Sequence, residues 1–149
     1  MKITAALIAE HTIFLKVFDE IERVLPSLTT AAEVRTMARI IEGMLESHAK
    51  TETEVAYLAL DHVLQQKGEL KKMYQDHHEI DERLRKVHTT NTCAEARRLL
   101  KLVIQTTRDH FRSEERLVFP MLEKALKEET LLELGAAWIQ RNATPTGRA

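Results

Sequence analysis

Two segments of this chain carry an imidazole and a carboxylate at the same spacing: His48 with Glu52, and His110 with Glu114. Aligned, HAKTETEVAYLAL (48–60) and HFRSEERLVFPML (110–122) share His, a basic residue, a hydroxyl residue, Glu, an aliphatic residue, an aromatic and a closing Leu. In a helix, residues i and i+4 share one face a single turn apart, so each segment presents an imidazole nitrogen and a carboxylate oxygen to one point. Mixed nitrogen and oxygen donors of this kind suit a metal ion.

The elements that must position these groups follow from the apolar periodicity. Leu7, Phe14, Phe18, Ile21 and Leu25 predict a helix over about 3–25, ended by Pro26. Thr30 with Glu33 reads as a capping box opening a second helix over about 31–66, whose stripe is Val34, Met37, Ile41, Met44, Val55 and Leu58, stopped at Gly68. Leu70, Met73, Ile80, Leu84 and Val87 give a third helix over about 69–88. Thr92 with Glu95 reads as another capping box, opening a fourth helix with the stripe Ala96, Leu99, Val103, Leu117 and Met121. Pro120 is expected to kink that helix or to begin a new segment. A short terminal helix over about 129–142 follows, packed through Leu131, Leu134 and Trp138, with a loose tail over 143–149.

The expected class is therefore all-α: one domain, an up-down-up-down four-helix bundle over about 3–125 plus the terminal helix. At 149 residues and 44% hydrophobic, with only four Gly, three Pro and 5% aromatics, the composition supports one helical core rather than a turn-dense β fold. The first two helices resemble the next two, offset by 66 residues at His11/His77 and by 62 at His48/His110. This is the pattern of an internal duplication.

Four histidines, one per helix, fall inside the apolar stripes: His11, His48, His77 and His110. His78 is a control, because its own helical neighbours Asp81, Glu82 and Arg85 are polar, which puts it on the surface. A buried imidazole must be hydrogen-bonded or metal-bound, and a buried carboxylate costs more still, on the order of several kcal/mol each if unpaired. Four imidazoles and two carboxylates in register exceed what one tetrahedral zinc accepts and suit two ions bridged by the carboxylates, iron or manganese before copper. The ferritin-like bundles use Glu-x-x-His; here His precedes Glu at i+4, which disfavours them.

The elements EHTIF (10–14), HAKTE (48–52), DHHEI (76–80) and HFRSEERLVFP (110–120), in this order, resemble the hemerythrin-like family, also called the HHE cation-binding domain, over about residues 3–125. The resemblance implies a non-haem, oxo- or hydroxo-bridged di-iron centre, with His11, His48, His77 and His110 as terminal ligands and Glu52 and Glu114 as bridges. The oxygen-carrying hemerythrins have a second histidine one turn after the third-helix histidine, where this chain has Asp81; it reads as a seventh ligand, an outer acceptor or a charge beside the core, and the last two are favoured. The four-His, two-Glu set is more similar to the bacterial iron-centre repair proteins of the superfamily. Some members take the last carboxylate at i+5, which is Glu115; the parallel with Glu52 favours Glu114.

Other polar residues read as background. Glu10 and Glu54 are assigned to the solvated face, and Tyr57 and Phe119 to packing that keeps the site dry. His62 and His88 lie about 16–21 Å along the axis from their helix's candidate ligand and cannot share its site. Cys93 excludes an intrachain disulfide, reads as an inert or surface thiol and fits a reducing cytoplasm. With a net charge of −1 and mixed signs, no nucleic-acid or membrane-surface footprint is visible, and ITAALIA near the start reads as mature helix rather than as a signal peptide. The functional expectation is a di-iron protein that binds or senses oxygen, nitric oxide or peroxide; the alternatives are a catalase- or peroxidase-like enzyme and an iron donor for repair. Trp138 and Ile139 either cover the bundle end or meet a partner, such as a second copy in a homodimer.

Overall fold

The computed structural model describes residues 1–61 and 68–143, and no strand occurs among them. The expectations for His62, for the end of the second helix and for the tail beyond residue 143 lie outside the described residues. Helix α1 spans Ile3–Val24 and closes in a 3₁₀ turn at Leu25–Ser27, where Pro26 can no longer donate. Helix α2 (Ala31–Thr51) runs through a π-helical turn (Glu52–Tyr57) into α3 (Leu58–Asp61). Helix α4 is Gly68–Thr89, α5 is Cys93–Ser113, a second π-helical turn is Glu114–Val118, α6 is Phe119–Ala125 and α7 is Glu128–Ala143.

Helix α5 packs against α1, α2 and α4, α2 also against α4, and α7 lies along α1, so the molecule is an all-α bundle with one added helix. Thr30 and Glu33 form the full capping box: Glu33 N–H donates to Thr30 Oγ1 at 3.2 Å and Thr30 N–H to Glu33 Oε2 at 2.8 Å. Thr92 accepts from Glu95 N–H at 3.3 Å, but Glu95 does not reach back. The guanidinium of Arg98, one turn on, holds the Glu95 carboxylate with two bonds of 2.8 and 2.6 Å. A charged two-pronged partner outcompetes a backbone N–H.

The apolar residues divide into two clusters along the bundle. One gathers Phe14, Phe18, Ile41, Leu45, Ile80, Leu84, Val103 and Phe111; the other gathers Ile3, Leu7, Val55, Leu60, Met73, Val118, Phe119, Leu122 and Leu131. Each bundle helix therefore passes from one cluster to the other and leaves a polar layer between them. Into that layer fall His11, His48, Glu52, His110 and Glu114, all buried, together with half-buried His77.

Two residues of the expected stripes, Leu58 and Leu117, are exposed at 53% and 40%. Both lie within or just beyond a π-helical turn, where Leu58 N–H reaches Thr53 O and Phe119 N–H reaches Glu114 O, five residues back instead of four. The extra residue rotates the downstream chain by roughly 100°, one residue of helical phase. Core positions at the ends of the turns and beyond them accordingly move to Ala56, Tyr57 and Leu60, and to Val118, Phe119 and Leu122. Pro120 sits at the start of α6, immediately after the second of these turns, as the new segment its ring requires.

Candidate metal centre

Each half of the duplication contributes two histidines and one glutamate. His11 from α1 and His48 from α2 meet with their Nε2 atoms 3.1 Å apart, and His77 from α4 and His110 from α5 with theirs 2.8 Å apart. The two glutamates, each the first residue of a π-helical turn, reach across between these pairs. Glu52 Oε1 lies 3.7 Å from His11 Nε2 and 3.2 Å from His48 Nε2, while its Oε2 lies 3.5 Å from His77 Nε2. Glu114 places Oε2 3.4 Å from His11 Nε2 and Oε1 3.4 Å from His110 Nε2.

The ligand-type atoms accordingly form two groups, His11/His48/Glu52/Glu114 and His77/His110/Glu52/Glu114, within each of which all lie inside 4.8 Å of one another. Both groups use both carboxylates. Among the described residues, the buried side-chain oxygens with no hydrogen-bond partner are Glu52 Oε1, Glu52 Oε2 and Glu114 Oε2. Buried acceptors of this kind are expensive unless a cation meets them, so the donor set fits a metal ion.

Behind the histidines stands a row of carboxylates. Glu115 accepts from His11 Nδ1 at 2.8 Å, Glu10 from His48 Nδ1 at 3.0 Å and Asp76 from His110 Nδ1 at 3.4 Å. Such partners fix the ring orientation and turn Nε2 toward the centre. Glu10 is therefore not on a solvated face: its Oε2 also accepts from Trp138 Nε1–H of α7 at 3.1 Å. Glu54 is, exposed and paired with Arg141. Glu115 bonds the Nδ1 side of His11, whereas Glu114 lies among the Nε2 atoms. Asp81 is exposed and makes none of these bonds; the acceptor on α4 is Asp76.

The aromatic surround is closer than the sequence implies. Phe111, which sequence reasoning did not single out, stacks on the His11 ring at 3.8 Å and 10°, and Phe119 packs on the same ring at 5.6 Å. Tyr57 stacks on His77 at 5.9 Å, but it is more than packing, because its hydroxyl donates to Glu114 Oε1. Of the apolar residues near the centre, Phe14 lies edge-on to His48 at 5.2 Å. His78 is exposed, His88 pairs with Glu42 at 3.1 Å, and half-buried Cys93 donates to Leu28 O at 3.4 Å.

The protonation of the cluster reflects its crowding. Burial by itself lowers His11, but the carboxylates of Glu114 and Glu52, 3.4 and 3.7 Å from its Nε2, outweigh it and push the imidazole up to about 9. Burial likewise works against His48, yet the charge of Glu52 and the Glu10 contact push it up to about 10. Glu52 is held well below the usual carboxylate range, burial notwithstanding, by His48 and then by His11. Burial, with the neighbouring His77 adding to it, lowers His110.

One face of the layer is open. A cavity of about 390 Å³ has buried His48 and His110 and half-buried His77 among its walls, with Thr107, Ile80 and Phe111, and exposed Glu42, Glu46 and Asp81 beside them. The hemerythrin HHE cation-binding domain model matches residues 2–122, which holds every one of the six central groups. The chain belongs to the hemerythrin HHE cation-binding family. No curated protein and no solved structure matches the chain. The bundle is a hemerythrin-type cation-binding domain, and its His/Glu cluster is a group of side chains that could hold a metal ion. No helix among the described residues is long and apolar enough to cross a membrane. Helix α7 lies beyond the stretch that matches the family.

Proposed function

We propose that this hemerythrin-type domain holds two iron ions, one at His11 and His48 and the other at His77 and His110, with Glu52 and Glu114 bridging, and binds or senses oxygen or a related small molecule such as nitric oxide or peroxide. The observation that carries the reading is the sharing of both carboxylates by both groups of donors. A single ion at either histidine pair would leave the carboxylate oxygens that face the other pair buried without a cation. Imidazole and carboxylate donors around open positions favour iron.

When bound, an iron pair would supply the redox-active Lewis acid to which such small molecules attach. The chain's own residues would supply the rest. Tyr57 holds a proton against Glu114 Oε1, Phe111 and Phe119 keep water off the His11 face, and the cavity beside His48, His77 and His110 admits a small ligand. Glu115, Glu10 and Asp76 hold three of the four rings in the orientation an ion requires.

The test is metal content per chain after purification without chelator, for the parent and for the Glu52→Gln, Glu114→Gln double variant. Two irons in the parent and fewer in the variant support the reading, and an optical response to oxygen, nitric oxide or peroxide then identifies the ligand class. Zinc alone, or no metal in either protein, overturns it.

A further inference from the structure

The duplication makes the two ends of the site nearly symmetric, and helix α7 breaks that symmetry. Glu10 precedes His11 as Asp76 precedes His77, at the same offset of 66 residues, and each carboxylate accepts from the second histidine of its own half, His48 or His110. Beyond that point the halves differ. Asp76 is held by the exposed ammonium of Lys72 at 2.6 Å. Glu10 is held by Trp138 Nε1–H, and the same oxygen, Oε2, accepts from both the indole and His48.

The bond lengths and the burial differ in the same sense. The His48–Glu10 bond is 3.0 Å against 3.4 Å for His110–Asp76. His11 has Glu115 behind it at 2.8 Å, whereas the equivalent position in the first half, 62 residues earlier, is Thr53, which has no carboxylate. His11 is fully buried and His48, though a wall of the cavity, is 2% exposed, while the His77 side chain is 16% exposed beside that cavity.

The remaining attachments of α7 are shallow. Its apolar seat is buried Leu131 with half-buried Leu134 and Trp138, and its ion pairs are Arg141–Glu54, exposed at both ends, and half-buried Lys2 with exposed Glu128. At Gly135 the helix backbone lies so close to the start of α1 that a Cβ would collide with the Met1 carbonyl oxygen. The indole bond reaches the polar layer through Glu10.

We propose that α7 is energetically coupled to the His11/His48 position through Trp138 and Glu10. Seating of α7 strengthens cation binding at that position, and a cation there strengthens the seating of α7. The coupling rests on the reading that this cluster holds metal, and it makes the two positions inequivalent. The His11/His48 position fills first, and the His77/His110 position exchanges more readily. Trp138 is a positioning residue, acting on the ion only through Glu10 and His48.

The experiment is an anaerobic titration of the full-length, metal-free chain with Fe²⁺ against a competing chelator, for the parent and for Trp138→Phe, which keeps an aromatic ring and removes the donor. Amide hydrogen exchange across α7 is followed at zero, one and two equivalents. Loss of a carboxylate partner behind a metal-bound histidine typically weakens binding 10–100-fold, and Trp138 acts one bond further out, so the expected weakening of the first step is about tenfold. Coupling is reciprocal, so the first ion should slow exchange across α7 in the parent by a similar factor of about ten, with little further change on the second.

Two bound ions with identical α7 exchange in the free and loaded parent would overturn the coupling while leaving the dinuclear reading intact. Equal weakening of both steps in Trp138→Phe would do the same, since that is the mark of general destabilisation. A parent that binds no ion overturns both proposals.

Discussion

Lowering the pH from 8 to 7 should weaken cation binding at the His11/His48 position about a hundredfold, because the ion must displace a proton from each imidazole. In the metal-free protein burial opposes both charges, yet Glu114 and Glu52 push His11 up to about 9, and Glu52 with Glu10 pushes His48 up to about 10. Both rings are therefore protonated throughout the interval, and an ion accepts only the neutral nitrogen. Removing both protons at pH 7 costs on the order of 7 kcal/mol at about 1.36 kcal/mol per pH unit. Structural zinc sites retain an apparent binding free energy of about 10–16 kcal/mol at pH 7 with their own proton release included, so a metal site can bear a cost of this kind, which grows as the pH falls. His110, lowered by burial, adds no proton of its own. Calorimetric titration in buffers of different ionisation enthalpy counts the protons directly. Release of less than about one proton with the first ion, or an affinity that is flat between pH 7 and 8, refutes the reasoning.

The same groups set the stability of the metal-free bundle. His11 and His48 are raised above their ordinary 6.5, so their contribution is complete below that value and is lost as the pH climbs through about 9 and 10. Glu52 is depressed below its ordinary 4.5, and its contribution is lost in the acid direction. Melts in chelator should peak between those two ordinary values, and a melting temperature that rises from pH 6 to 10 would contradict this. Tyr57→Phe removes a buried hydrogen bond to a carboxylate and should lower the unfolding free energy of the metal-free chain by about 1.5–3 kcal/mol in urea. Leu122→Ala should cost about 2–5 kcal/mol, whereas Leu117→Ala should stay within about 0.5 kcal/mol, and equal effects would argue against the shift of helical phase at the second π-helical turn.

Much of the centre is legible in the sequence because its inner groups carry a double signal, an apolar stripe interrupted by a polar residue and the repetition of that interruption. His11, His48, Glu52, His77, His110 and Glu114 all show it, and all six fall in the layer between the two clusters. The outer carboxylates are harder to read, since each serves a histidine on another helix, where helical spacing gives no guide. The usable signal was the duplicated acid–His dipeptide, Glu10-His11 and Asp76-His77, which places an acid beside one ligand and behind the next. Leu58 and Leu117 were misplaced because a period of 3.6 carries no warning of an inserted residue. Phe111 escaped notice because its packing against His11 depends on how two distant helices pack together.

Neither half of the repeated pattern carries a whole group of candidate donors. The group around His11 and His48 needs Glu114 from the far half, and the group around His77 and His110 needs Glu52 from the near one. A half-folded chain, however well formed its two helices, presents two imidazoles and one carboxylate and no complete cluster of donors. The full free energy of cation binding is thus delivered only when all four helices are in register. For a bundle whose polar layer would otherwise separate two apolar clusters into regions able to melt independently, a cation at this seam would act as a cooperativity device, fusing two folding units into one all-or-none transition.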